Sequence, residues 1–333
     1  MTIRLTPRGP FSLAAAIGFQ KGFAPADYRN HGGAPVTCST GVAGDDESLR
    51  FAFADDADWR PGGARIVEDG ADVLVEPHGQ ADPEKIAAQV ARILSLDVDG
   101  VAFPEVGERD PVVGELQRRH PGLRPVCFHS PYEAAAWAVI GHRIQIRQAA
   151  GIRTRISQEH GVTVDVAGVA VPTFPAPERL LALDGVRGLP DVKIERLHAV
   201  ARAALAGELD ARTLRSLDPE EALARLCRIP GIGPFSADLI LVRGAGAPDH
   251  FPVSERRLHD SMAAAYGLPE ADIAALRRIA AGWSPFRSWV ALLMRSERER
   301  TTGEIARGRR VNASAHQPVS HARPAQLRIG GED

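Results

Sequence analysis

The stretch from residue 218 to residue 242 constrains the fold most, because it predicts two helices joined by a very short turn. Asp218 is a good helix cap and Pro219 fits the first helical turn, so a helix is predicted to run from there into Pro230. The sequence Gly-Ile-Gly at 231–233 then predicts a tight hairpin, since glycine adopts backbone conformations that other residues avoid. Pro234 opens a second helix that is predicted to reach about Val242.

This hairpin has two interpretations. The backbone N–H groups of Gly231, Ile232 and Gly233, with a helix N-terminus behind them, form a site suited to a phosphate group. The alternative is a plain helix-turn-helix packing corner. The full Pro-Gly-Ile-Gly pattern with long helices on both sides favours the phosphate site.

The rest of the chain predicts an α+β fold. Apolar and polar residues alternate over 49–53, and two further alternating stretches, 64–68 and 72–76, flank Asp69-Gly70, which is typical of a hairpin. Asp82 and Pro83 start a helix whose apolar side chains fall on one face. From about residue 110 the pattern is almost entirely helical, and 130–133 reads as a capping box.

We therefore predict three parts. A small antiparallel β-sheet domain with helices spans 1–110, and an all-α domain spans 111–300. Residues 301–333 lose apolar periodicity and are rich in Arg, Gly, Ala, Ser, Pro and His, so we expect a disordered tail there.

Composition excludes several classes of protein. The three cysteines, Cys38, Cys127 and Cys227, are far apart, which argues against a disulfide framework, a metal site or an iron-sulfur cluster, so we expect no cofactor. No apolar run is long enough to span a bilayer and the start has no secretory pattern, so we expect a cytoplasmic protein. The net charge of −2 gives no support for a nucleic-acid partner, although a local patch of arginine suffices for one.

The hairpin segment resembles the helix-hairpin-helix motif of the DNA glycosylase superfamily. Within it, the chain resembles most the DNA-3-methyladenine glycosylase II family, over roughly residues 125–294. The stretches that carry the resemblance are 132–150, 174–178, 226–238, 243–252 and 283–289. The resemblance implies a protein that binds duplex DNA containing a damaged base and flips that base out of the helix.

The resemblance also implies roles for individual residues. His142 and Arg143 would form the wedge that fills the gap left by the flipped base, although an ordinary helix end is the alternative. Glu255 would be the catalytic carboxylate, although a glutamate in a first helical turn needs no chemistry to be favourable. The other expected residues are Phe235, Trp283 and Arg295 in the base pocket, and Gly231, Ile232, Gly233 and Arg147 on DNA.

The chain departs from the family pattern at Arg143, Glu255 and Arg295, and it differs from bifunctional relatives at Phe235. Arg143 stands where an apolar wedge is common, and Phe235 stands where bifunctional relatives carry the lysine that attacks the sugar. Phe235 either stacks on a base or is a core residue. Glu255 replaces the usual aspartate, while Ser254 beside it is expected to cap the next helix. Arg295 replaces a pocket tryptophan, which disfavours cationic alkylated bases.

Three functional hypotheses follow. The first is a monofunctional DNA glycosylase that acts as a monomer on a damaged, alkylated base. The second is a catalytically inactive damage-recognition protein, which does not need the Glu255 carboxylate. The third is a helical DNA-binding module that acts only with a partner.

Overall fold

The computed structural model describes residues 1–22 and 48–303. The tail predicted at 301–333 lies outside the described residues from 304 onward, and its first two residues instead complete the last helix. Within the described ranges, every helix is too short or too polar to cross a membrane. The α+β prediction is confirmed.

A four-stranded antiparallel sheet forms the N-terminal part, in the order β1-β4-β3-β2. The predicted hairpin between β3 and β4 is confirmed, but Asp69 pairs with Asp72, so the turn lies one residue later than expected, at 70–71. Gly70 has a φ of 64° in this turn, which glycine tolerates best. The strands are β1 (Ile3–Leu5), β2 (Leu49–Ala54), β3 (Pro61–Asp69) and β4 (Asp72–Gly79).

Helices cover the sheet and form most of the remaining chain. The predicted start at Asp82 is confirmed, because its carboxylate accepts a hydrogen bond from the N–H of Glu84 at 2.8 Å. The helices up to the hairpin are α1 (Leu13–Gly22), α2 (Pro83–Ile93), α3 (Phe103–Arg109), α4 (Pro111–Arg119), α5 (Pro131–Gly141), α6 (Ile146–His160), α7 (Pro177–Leu181), α8 (Asp191–Leu205), α9 (Ala211–Ser216) and α10 (Pro219–Leu226). After the hairpin come α11 (Pro234–Leu239), a π-helical turn (Ile240–Gly244), α12 (Arg256–Ala265), α13 (Ile273–Ala281) and α14 (Arg287–Thr302).

The expectation of an all-α second domain needs one correction. Two short strands, β5 (Thr163–Val166) and β6 (Val169–Pro172), form a hairpin that packs on the outer side of β2 and β3. Gly63 in β3 makes room for it, since a Cβ there would lie 2.7 Å from Val166 Cγ2. Alternation of valine with polar residues over 163–166 is the signal that sequence reasoning missed.

The described residues pack into three main hydrophobic clusters. One lies between the sheet and α2, and a second lies among α5, α6, α8 and the hairpin motif. The third joins α3 and α4 to α12, α13 and α14. A domain boundary at residue 110 stays a prediction. It would separate α3 from α4, which pack together in the third cluster.

A buried segment without regular structure, residues 123–130, runs between these clusters. Side chains from other elements satisfy its carbonyl groups. Arg92 in α2 donates to the carbonyls of Phe128 and His129, and it also donates to that of Gly244 at 2.6 Å. Arg243 in the π-helical turn donates to the Val126 carbonyl. Two arginines therefore connect α2 and the π-helical turn to the central segment.

Arg92→Met is expected to lower the free energy of unfolding by about 3 to 5 kcal/mol, because it leaves buried carbonyl groups without a donor. Denaturant unfolding followed by circular dichroism measures the change. Arg118→Met, which removes an exposed ion pair with Glu115, is the control and is expected to leave stability almost unchanged. A loss at Arg92 no larger than the control's would contradict the central role of Arg92.

Candidate functional site

A cleft of about 640 Å³ opens between the N-terminal helix and the helices that follow the hairpin. Its walls come from α1, the end of α4, α11, the π-helical turn, α12 and α14, and most of its lining is apolar. The lining includes Phe19 from α1, Phe235 and Asp238 from α11, Glu255 from the start of α12, and Leu292 and Arg295 from α14. The cleft therefore brings together three of the four residues that the sequence predicted for the pocket and the catalytic group.

Glu255 is the N-cap residue of α12, and one of its carboxylate oxygens accepts a hydrogen bond from the N–H of Arg257 at 3.1 Å. Its other oxygen lies 4.0 Å from Nε of Arg295. The two side chains are 22% and 19% exposed, so this ion pair faces the cleft without being fully hydrated. The prediction that Ser254 caps the helix is wrong, because the cap falls one residue later.

Phe235 is 50% exposed and lies on the cleft surface, so it is not the core residue that was the alternative. Trp283, in contrast, is fully buried and does not line the cleft, which corrects its prediction as a pocket residue. Its indole Nε1 donates to Asp110 at 3.1 Å, and its ring packs edge-on against Phe251. A satisfied N–H and an aromatic neighbour hold it in the core instead.

Asp238 is a cleft carboxylate that sequence reasoning missed. It is only 3% exposed and accepts hydrogen bonds from Nε2 of His250 at 2.7 Å and from the N–H of Ser254 at 3.0 Å. It follows Phe235 by three positions, and residues three apart share a helix face. That spacing is the signal that could have placed it beside the pocket.

The hairpin lies at the surface, with Gly231 and Gly233 exposed. Gly231 has a φ of 93°, a conformation that favours glycine, and a Cβ there would lie 2.6 Å from Cδ of Arg196 and displace that side chain. Ile232 is different, because its side chain is buried and its N–H donates to the Ile229 carbonyl at 3.0 Å. The expectation that Ile232 offers a donor to a phosphate is therefore wrong.

Donors remain at the start of α11. Gly233 is the N-cap of this helix, and the first hydrogen bond of the helix runs from the N–H of Ala237 to the Gly233 carbonyl. The N–H groups in a first helical turn have no acceptor within their own helix. The backbone N–H groups of Gly233, Phe235 and Ser236 are therefore the donors that can bind an anion here.

His142 and Arg143 are both exposed in the turn between α5 and α6, and Arg147 is exposed on the first turn of α6. Arg143 has a φ of 57°, a left-handed conformation that is uncommon for a residue with a side chain. Burial and neighbouring positive charge, chiefly that of Arg143, hold the pKa of His142 below its ordinary value. The imidazole is thus neutral at neutral pH.

Lys193 in α8 holds this turn in place. Its ammonium group donates to the carbonyls of Ile140 at 2.7 Å and of His142 at 2.8 Å, which caps the end of α5. Burial and the charge of Arg196 lower the pKa of Lys193. Arg196 follows Lys193 by three residues on α8, and its side chain covers Gly231. This helix therefore supports both the turn at His142 and the hairpin.

No group of three or more potential metal-ligating side chains lies close together among residues 1–22 and 48–303. The described part of the chain therefore offers no candidate metal site.

The chain is similar in sequence to several known proteins, among them two DNA-3-methyladenine glycosylases. DNA-3-methyladenine glycosylase 2 of Escherichia coli is 31% identical over 214 residues, which are 63% of this chain and 72% of that protein. DNA-3-methyladenine glycosylase of Bacillus subtilis is 28% identical over 184 residues, which are 54% of this chain. The chain spans only 60% of the length of the Bacillus protein. No family model matches.

A solved structure shares the fold. The 3-methyladenine DNA-glycosylase from Archaeoglobus fulgidus superposes with a TM-score of 0.70 at 20% identity, over 90% of this chain and 99% of that one. At this identity the likeness concerns the fold alone.

Arg143→Gly is expected to leave the free energy of unfolding within about 1 kcal/mol of wild type, because glycine adopts the left-handed conformation without strain while losing more chain entropy. Arg143→Val, which removes the same side chain, is expected to lower it by about 1 to 2 kcal/mol, since a β-branched residue is strained there. Thermal and denaturant unfolding measure both. Equal losses in the two variants would contradict the left-handed turn.

Proposed function

The chain belongs to the DNA-3-methyladenine glycosylase II family of helix-hairpin-helix DNA glycosylases, and from this we propose that it is a monofunctional DNA glycosylase of base excision repair. It flips a damaged base out of duplex DNA and hydrolyses the bond between base and sugar. The observation that carries the proposal is the cleft beside the hairpin motif, which holds a half-exposed aromatic ring and a carboxylate. We further propose that it works as a monomer in the cytoplasm.

The cleft supports each step of such a reaction. Phe235 offers a ring face to a flipped base, and stacking of this kind is worth about 1 to 3 kcal/mol per base. Cleavage of the bond builds positive charge on the sugar, as in glycoside hydrolysis. Glu255 supplies negative charge at the cleft wall, where it stabilises that sugar cation and orients or deprotonates the attacking water.

The surface beside the cleft supports binding of duplex DNA. The N–H groups at Gly233 and at the start of α11 suit a backbone phosphate. The bonds from Lys193 fix the turn at His142 and Arg143. This exposed turn suits insertion into the gap left by the flipped base. Arg147 adds positive charge next to this turn, so binding should weaken as salt rises.

The reaction we propose ends with base release, without strand cleavage by a lyase step. A lyase step needs an amine that forms a Schiff base with the sugar. The chain has three lysines; Lys193 donates to two carbonyls, Lys85 pairs with Asp58, and Lys21 lies on α1. Phe235 replaces the lysine that this chemistry uses in bifunctional relatives.

A catalytically inactive damage-recognition protein is the second candidate. It is favoured by the pairing of Glu255 with Arg295, which offsets part of the negative charge available to a sugar cation. The longer glutamate also shifts its oxygens by roughly 1 Å relative to an aspartate, and displacement of that size can slow a reaction ~100-fold.

Glu255→Gln is expected to lower the rate of base excision by about 100-fold or more, while affinity for damaged duplex stays equal or rises because a negative charge near DNA is lost. Single-turnover release of abasic sites from duplexes with a panel of damaged bases measures the rate, and fluorescence anisotropy measures the affinity. Glu299→Gln removes another carboxylate from the cleft lining and serves as the matched control, which should retain most activity.

Two results would decide against this assignment. Excision by Glu255→Gln at the wild-type rate would show that another group is catalytic. If the wild-type protein binds damaged duplex tightly and excises nothing from the panel, the damage-recognition alternative is correct.

Arg295→Trp is expected to raise excision of a cationic base such as 7-methylguanine by about tenfold relative to a neutral damaged base. The substitution removes a positive charge and adds an aromatic face, which holds cations. Parallel single-turnover assays on the two bases in one duplex sequence give the ratio. An equal change for both bases would mean that Arg295 does not select substrates by charge.

A further inference from the structure

The Asp238 carboxylate is almost completely buried at the wall of the cleft, next to a carboxylate that the proposed reaction uses. A buried carboxylate loses its hydration and is stable only when donors satisfy its oxygens. Both oxygens of Asp238 are engaged, one by the imidazole of His250 and the other by the backbone N–H of Ser254. An ionised carboxylate only accepts, so both partners donate.

These two donors connect Asp238 to two other elements around the cleft. Ser254 directly precedes Glu255, so its N–H fixes the backbone one residue before the proposed catalytic carboxylate. His250 is itself fixed to α14, because its N–H donates to Oγ of Ser288 at 3.0 Å, and that hydroxyl donates back to the His250 carbonyl at 3.0 Å. Asp238 thereby links α11, the start of α12 and α14.

The cleft residues with proposed roles stand on these same three elements. Phe235 lies one turn before Asp238 on α11, Glu255 begins α12, and Arg295 lies two turns after Ser288 on α14. The buried Asp238 carboxylate therefore joins the three elements that carry the cleft residues with proposed roles.

We propose that Asp238 is a positioning residue for Glu255, and that its bonds to Ser254 and His250 set where the Glu255 carboxylate stands against the flipped nucleotide. The inference rests on the proposed function. Its chemical reason is that Glu255 occupies a non-helical N-cap position, with φ of −88° and ψ of 86°, and is longer than the usual aspartate. A small movement of this backbone would move its oxygens away from the sugar.

Asp238 could instead act directly, by its own charge on the reacting sugar. A neutral side chain of the same shape distinguishes the two roles, because it keeps the hydrogen bonds and removes the charge. In Asp238→Asn, the amide oxygen still accepts from Ser254, and the amide NH₂ can donate to the other tautomer of the imidazole. Positioning therefore survives in this variant, whereas any direct effect of the charge is lost.

The test compares Asp238→Asn and Asp238→Ala with wild type and with Asp272→Ala. Asp272 also accepts from two backbone N–H groups, but it caps α13 outside the cleft. We expect Asp238→Ala to slow single-turnover excision about 100-fold with affinity for damaged duplex within about threefold of wild type. Asp238→Asn is expected to stay within about tenfold of the wild-type rate, and Asp272→Ala to equal wild type.

Three results would overturn the proposal. Equal losses of rate in Asp238→Asn and Asp238→Ala would mean that the charge acts directly. A wild-type rate in Asp238→Ala would mean that the bonds to Asp238 do not matter for the reaction. Parallel loss of rate and affinity in Asp238→Ala, with a lower melting temperature, would reduce Asp238 to a structural residue.

Amide hydrogen exchange gives a readout that does not depend on catalysis. We expect faster exchange over residues 252–256 in Asp238→Ala than in Asp238→Asn, because only the former loses the acceptor for Ser254. Unchanged exchange in Asp238→Ala would refute the positioning role even if the wild-type protein proved inactive. An inactive wild type with this exchange pattern would refute the proposed function alone.

Discussion

The buried segment 123–130 forms no strand or helix of its own, so its peptide groups depend on partners from other elements. The N–H of Cys127 donates to the Ile93 carbonyl and that of Phe128 to the Arg243 carbonyl, while arginine side chains supply the donors for the carbonyl groups. Unpaired peptide groups in such a place would be strongly destabilising. Arg92 and Arg243 therefore fix α2 and the π-helical turn against this segment, and Arg243 also lines the cleft.

Asp238 in the cleft wall is likewise a buried polar group that needs hydrogen-bond partners. Burying polar side chains costs free energy that their hydrogen bonds only offset, so stability alone does not explain why Asp238 and His250 lie beneath this surface. Their value is geometric, because charge-assisted hydrogen bonds are short and directional. They hold Glu255 in a backbone conformation that a helix alone would not give. The π-helical turn after α11 adds the partly buried Arg243 to the cleft lining.

Sequence reasoning was most successful where a residue acts on its immediate neighbours. The caps at Asp82 and Ser130, the hairpin between β3 and β4, and the tight turn after Pro230 all follow from the conformational preferences of a few adjacent residues. The same reasoning missed the short β5–β6 hairpin, because four-residue strands carry a weak signal and depend on packing against another sheet. It placed the cap of α12 at Ser254, whereas the helix begins one residue later and the Glu255 carboxylate accepts from the N–H of Arg257.

By itself, the sequence determined the α+β class, the hairpin and, through its resemblance to a family, that Phe235, Glu255 and Arg295 belong to one site. Only the tertiary structure decided that Trp283 is a core residue and that Asp238 lies in the cleft. It also decided that the N–H of Ile232 is used within the hairpin and that Lys193 holds the turn at His142. The reason is that side-chain hydrogen bonds between distant positions, and the burial that makes them strong, arise only once the elements pack together.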